Sequence, residues 1–206
     1  MKRVPVVATS LVLIAVAAMI ALGVWQLQRA GWKEALIARY TANRDLPPTA
    51  YPERAPVADS AMFRKSQVTC LRVADWRVTG GSTPTGRPGY RHIAACVTGA
   101  EGPGALIDMG IAADPAFKPT WTGGTVDGLI TTEPSQTSLI GKLFGRTPPL
   151  RPMLVADVPA PGLAASAPPG ANGIANNHLA YAVQWFVFAG VALVIYAIAL
   201  RRRMTL

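Results

Sequence analysis

His178 is the third residue of the stretch "NNHLAYAVQWF", Asn176 to Phe186, and is one of two histidines in 206 residues. His178, Tyr181, Trp185 and Phe188 follow i, i+3, i+7 and i+10, the spacing of one helix face. Trp25, Arg29 and Trp32 do the same at i, i+4 and i+7, with Gln26, Arg29 and Lys33 as an adjoining polar stripe. These residue types have a shared chemistry. A neutral imidazole is an axial ligand for haem iron. A guanidinium pairs bidentately with carboxylates such as haem propionates. Flat aromatic faces complete an amphipathic pocket. The plainer reading of the same aromatics and cations is a membrane-interface belt with snorkelling basic chains.

Other chemistry is scarce. The sequence has no P-loop, HExxH, GxGxxG or nucleophile-elbow motif. His92 falls in an expected strand with Asp108 one strand away, a pattern read as structural rather than catalytic. The chain is therefore not expected to be an enzyme.

The elements that must position these residues are apolar. Half the chain is hydrophobic and only 15% is charged, against roughly a quarter in soluble chains. Val4 to Gln28 and Leu179 to Leu200 carry no charge at all. As helices they would be roughly 37 and 33 Å long, enough to cross a hydrocarbon core of about 30 Å. In lipid the backbone must bond internally, so both runs should be helical. A cleaved signal peptide is the alternative for the first, but the apolar run continues well past Ala15-x-Ala17. "RRR" at Arg201 to Arg203 follows the second run at once, which puts the C-terminus in the cytoplasm. Two spans return the chain to its starting side, so the N-terminus is cytoplasmic too. The formal charge of +9 is concentrated beside the spans, where it sets topology and meets anionic lipid. No basic block of the middle region suggests nucleic acid as a partner.

The expected order is a cytoplasmic start (1–3), a first transmembrane helix (4–28), an extracytoplasmic region (29–178), a second transmembrane helix (179–200) and a basic tail (201–206). Within the middle, a helical extension should run to about Asn43, ended by Pro47 and Pro48. Strand signals at Gln67–Val78, Tyr90–Val97, Ala105–Ile111 and Gly124–Thr132 predict a mostly antiparallel core over about 63–133. Residues 134–177 read as an extended, proline-rich return without helix or central strand. The fold class is thus a membrane protein, α+β, with two transmembrane helices flanking a small, mostly antiparallel β-rich extracytoplasmic domain. Cys70 and Cys96 would face each other in a hairpin centred near Thr83, as a disulfide or as two buried thiols. Asn176 and Asn177 can cap the second helix. Ala17 with Ala21, and Ala182 with Ala189, offer small residues for close helix packing.

Two motifs add a resemblance. Leu22, Gly23, Trp25, Gln26, Arg29 and Lys33 match the form LGxWQxxRxxxK. Asn176, Asn177, His178, Tyr181, Trp185 and Phe186 match NNHxxYxxxWF. In this order, each abutting a span, they resemble the surfeit locus protein one (Shy-type) family of cytochrome c oxidase assembly proteins. The resemblance implies a bacterial inner-membrane assembly factor that binds haem a and aids its insertion into oxidase subunit I, alongside other assembly factors. On this reading His178 is the iron ligand, Arg29 and Lys33 hold propionates, and Trp25, Tyr181 and Trp185 line the pocket. The alternative is a scaffold that holds oxidase subunits or assembly factors together without haem. "IDMGIAADP" departs from the Asn-Arg-Gly-Trp segment of many members, so no role is carried over there.

Overall fold

A computed structural model describes residues 5–100, 104–135, 141, 145, 148–170 and 176–205. Lys2 and Arg3, Glu101 to Pro103, and parts of the proline-rich return lie outside the described residues. The chain forms two compact units: Met1–Ile37 with Asn172–Leu206, and Ala38–Ala171.

The first unit is a helix pair, α1 (Val6–Asn43), whose residues from Ala38 on belong to the second unit, and α2 (His178–Thr205). Both are long and apolar enough to cross a membrane. The less exposed positions of α1 are Val12, Val16, Met19, Gly23, Gln26, Ala30 and Lys33. Those of α2 are His178, Ala182, Trp185, Ala189, Ala192 and Tyr196. Both sets repeat every 3.5 residues, the period of a seam between two helices that wind around each other. Ala182 and Ala189 lie in this seam, as their size suggests. Ala17 and Ala21 do not; they are exposed, and Val16, Gly23 and Ala30 take the seam instead. The reason is register, because a 3.5-residue period from Gly23 passes through 16 and 30. A Cβ on Gly23 would come within 2.7 Å of the Phe186 ring, so a larger residue would displace that ring. Near the far end the Thr9 and Tyr196 hydroxyls share a hydrogen bond. Leu11, Leu13, Ile14, Val187 and Ile195 cover the outer faces and are exposed, as lipid contact requires.

The second unit holds one six-stranded sheet: β1 (Lys65–Cys70), β2 (Arg72–Ser82), β3 (Pro88–Val97), β4 (Ala105–Ala112), β5 (Gly124–Thr132) and β6 (Pro152–Ala156). Its order is β1-β5-β6-β4-β3-β2. The first and last strands of that order are joined by Leu71 alone, so the sheet curls round on itself. The expected strand over Gln67–Val78 is in fact two, bent at Leu71. Its first half pairs with β5 and its second with β3. The Leu71 amide donates to the Val97 carbonyl at 2.9 Å and holds the corner.

Cys70 and Cys96 form a disulfide with Cα atoms 5.2 Å apart. It is not the cross-hairpin bridge expected from a turn near Thr83. Cys96 faces Val73 in the β2–β3 register, and Cys70 belongs to β1. The bridge pins the two ends of the curled sheet together. Closing a loop over a separation of 26 residues stabilises by about 3–4 kcal/mol in the chain-entropy account.

The sheet also extends beyond the expected limit at residue 133. β6, "PMLVA", comes from the proline-rich return and lies between β5 and β4, antiparallel to one and parallel to the other. All five of its residues are buried, as are all eight of β4. The expectation that proline bars a central strand fails because Pro152 is the strand's first residue, where a missing N–H is tolerated. The four residues after it are a continuous apolar run, the mark of a strand covered on both faces. The core gathers Ile107, Met109, Ile130 and Leu154 around the disulfide. At the end of α1, Tyr40 donates to Asp59 Oδ1 at 2.8 Å, and Asn43 Nδ2 donates to the carbonyls of Asp59 and Met62 at 2.7 and 2.9 Å. These bonds fix the helix end to the segment before β1.

A buried polar cluster sits where β3 and β4 slip register between Arg91 and Ile93. Asp108 Oδ1 accepts from Ser166 Oγ at 2.8 Å and from the Gly110 amide at 3.1 Å. Arg91 Nε lies 2.9 Å from Asp108 Oδ2, an ion-pair contact poorly directed for a hydrogen bond. His92 is fully buried, and its two ring nitrogens face the Tyr90 and Phe117 carbonyls at 3.0 and 3.1 Å. With both nitrogens so engaged, the imidazole is not placed to activate Ser166, and the cluster lacks the nucleophile–base contact of a triad.

Burial raises the Asp108 carboxyl above its ordinary value, against the opposing pull of Arg91, Ser166, Gly110 and His92. A raised folded-state value means the folded chain holds the proton more tightly than the unfolded chain. The resulting stability is present in full below the unfolded value and is lost as pH rises through the folded one. The stability advantage of wild type over Asp108→Asn should therefore shrink as pH rises above the ordinary carboxylate range. Asp108→Ala, which orphans Ser166, Gly110 and Arg91, should cost about 3 kcal/mol. Denaturant titration of the detergent-solubilised proteins checks both, and a gap that widens with pH contradicts the assignment. In the same assay Leu154→Ala should cost about 2–5 kcal/mol, while Val158→Ala, at an exposed site, stays within about 0.5 kcal/mol.

Candidate functional site

His178 is the first residue of α2. The Tyr181 amide donates to the Asn177 carbonyl at 3.2 Å, which makes Asn177 the residue at the helix threshold. Asn176, expected as a second cap, does something else. Its Nδ2 reaches across to the Ala30 carbonyl of α1 at 3.4 Å. The next residue but one crosses the same seam: His178 Nδ1 lies 2.7 Å from Gln26 Oε1. Asn176 and His178 thus fix the start of α2 against the Gln26–Ala30 turn of α1. Small seam residues, Gly23 and Ala30 on one side and Ala182 on the other, allow this approach.

The residues singled out by spacing gather around this crossing to different degrees. Trp185 is half-buried at a seam position and meets Phe188 edge to face, with ring centroids 6.2 Å apart. Tyr181 and Trp25 are each 52% exposed. They flank the seam and present their rings outward. Lys33 occupies a seam position one heptad beyond Gln26. Arg29 is exposed, and its guanidinium carbon stands 4.6 Å from the centre of the Trp32 ring. That cation–π contact is worth about 0.5–1 kcal/mol at an exposed position. It directs Arg29 along α1 rather than at His178.

Gln26 is the residue that spacing alone undervalued. It stood in the polar stripe beside Arg29 and Lys33, without a partner. The signal was present: a glutamine at a seam position between Gly23 and Ala30 needs a polar neighbour on the facing helix. His178 occupies the matching position.

The donor set discriminates between kinds of metal. Among the described residues no group of three or more His, Cys, Asp or Glu could hold a bare ion. A single imidazole suits a metal that brings its own equatorial ligands, as haem iron does. Nδ1 is engaged by Gln26, while Nε2 has no hydrogen-bond partner among the described residues. Flat apolar rings and two cations lie within two turns of it along the helices. Of the residues singled out by spacing, the structure brings His178 against Gln26, whereas Arg29 is turned to Trp32 and Trp25 and Tyr181 are half-exposed.

No curated protein matches the chain significantly. The family model described as the SURF1 family matches residues 13–190. That span reaches from α1 through every strand of the sheet into α2. The chain is a membrane protein of the SURF1 family, a family of cytochrome oxidase assembly factors.

Proposed function

We propose that this protein is a bacterial inner-membrane assembly factor that takes haem a as cargo and passes it toward subunit I of a haem–copper oxidase. The observation that carries the reading is His178, held at the first turn of α2 with one ring nitrogen engaged and the other open. Imidazole supplies one axial bond to the iron. Arg29 and Lys33 offer charge to propionates, and Trp25, Tyr181 and Trp185 offer aromatic faces to the macrocycle. Transfer calls for a bond that can be released, and one axial histidine suits that better than two. The basic run Arg201 to Arg203 at the end of α2 supports a cytoplasmic C-terminus. With two spans, the sheet domain and the His178 end of the helices then face the periplasm. On this reading the protein binds and delivers and performs no catalysis.

The test is the absorption spectrum of the protein purified from cells that make haem a. Wild type should carry a haem signal, and His178→Ala should lose it, while His92→Gln retains it. A signal unchanged in His178→Ala removes the ligand assignment. No signal in wild type favours a scaffold that holds oxidase subunits together without haem.

A further inference from the structure

The contact between Gln26 and His178 has directional content. Gln26 Oε1 faces His178 Nδ1 at 2.7 Å, and with the amide oxygen accepting, Nδ1 is the nitrogen that carries the hydrogen. A neutral imidazole has one N–H only, which leaves the lone pair on Nε2. In free histidine side chains the Nε2–H form is the commoner one. Gln26 therefore selects the minor tautomer.

Among the described residues the ring has no second hydrogen-bond partner. Asn176 Nδ2 donates to the Ala30 carbonyl, and its Oδ1 makes no hydrogen bond. Arg29 is turned to Trp32. The backbone of Gln26 lies in the middle of α1, between the buried positions Gly23 and Ala30, so the glutamine is carried on a rigid element. His178 is at the first turn of α2, where its ring direction would otherwise follow only its own rotamers.

We infer that Gln26 is a positioning residue: its side-chain carbonyl fixes His178 in the Nδ1–H tautomer and presents Nε2 as the ligating atom. The role of Nε2 as a ligand rests on the haem reading above; the tautomer itself does not. A hydrogen-bonded outer partner also makes the ligating nitrogen more basic. An amide carbonyl is a weaker acceptor than a carboxylate, so it adds orientation while leaving the iron bond short of its full strength. That balance suits cargo that must leave.

The test has two arms. The first uses the full-length protein in micelles without haem, labelled with 13C and 15N at histidine. The chain has two histidines, so difference spectra against His178→Ala assign both. At about pH 9, above the ordinary imidazole range, His178 should show the Nδ1–H pattern. Gln26→Leu should convert it to Nε2–H, and Gln26→Glu should restore Nδ1–H. An Nε2–H pattern in wild type, or no change in Gln26→Leu, overturns the inference. The second arm uses haem-loaded protein. Gln26→Leu should weaken haem affinity about 10–100-fold, the usual range for loss of an outer-sphere partner. Gln26→Glu should lower the haem reduction potential and raise the iron–histidine stretching frequency relative to wild type. A potential and frequency unmoved in Gln26→Glu overturn the positioning role on loaded protein. If haem fails to bind wild type while the first arm succeeds, the haem reading falls and the tautomer assignment stands.

Discussion

The close approach of α1 and α2 is the constraint from which the site follows. In lipid there is no hydrophobic drive to bring two apolar helices together; packing and interhelical hydrogen bonds must do it. Here the seam is lined by Gly23, Ala30, Ala182 and Ala189, which let the backbones come near. Three polar crossings close it among the described residues, one of them from Asn176 to the Ala30 carbonyl. Thr9 meets Tyr196 near one end, and Gln26 meets His178 near the other. The Thr9 and Tyr196 hydroxyls, the Gln26 carbonyl and the Asn176 Nδ2 each meet a partner on the facing helix. A larger residue at Gly23 would strike Phe186. It would displace that ring, about one helical turn from Gln26. The histidine at the α2 threshold is therefore an outcome of packing several residues away.

A second constraint organises the sheet domain. Leu71 joins the two ends of the strand order, and the Cys70–Cys96 bond ties the same corner. With its ends pinned, the sheet can enclose β4 and β6 as strands buried along their whole length. Gly110, at φ +130°, lets β4 bend where the loop of Leu163 and Ala164 comes close. The charged cluster around Asp108 sits beside that bend, at the register slip between Arg91 and Ile93. Its polar atoms are paired mainly within the cluster and with backbone. It reads as a device that stabilises an irregular strand pair, and not as chemistry.

Much of this was legible in residues alone. The two spans follow from charge-free runs, since no other signal spaces apolar residues so long. The helical extension to Asn43 and the strand starts at Tyr90, Ala105 and Gly124 fall near the observed elements. β6 was hidden because five apolar residues among prolines do not announce a partner, and a central strand is defined by its neighbours rather than by its own period. The Leu71 corner was hidden because alternation over this stretch is only partial, so its change of phase at Cys70 and Leu71 did not stand out as a change of partner strand. The seam register was hidden for a related reason. Ala17 and Ala21 are as small as Ala30, and only the facing helix decides which small residue is used. Gln26 illustrates the same limit at the site: its type was plain, but its partner lies 152 residues away in sequence.

The account turns on one histidine holding iron. Its most direct measurement is pulsed electron paramagnetic resonance of the ferric haem-loaded protein with 15N at histidine only. With two histidines in the chain, the nuclear coupling has few possible sources. The account predicts coupling from one axial imidazole, retained in His92→Gln and abolished in His178→Ala. Coupling that survives His178→Ala and disappears in His92→Gln would contradict it.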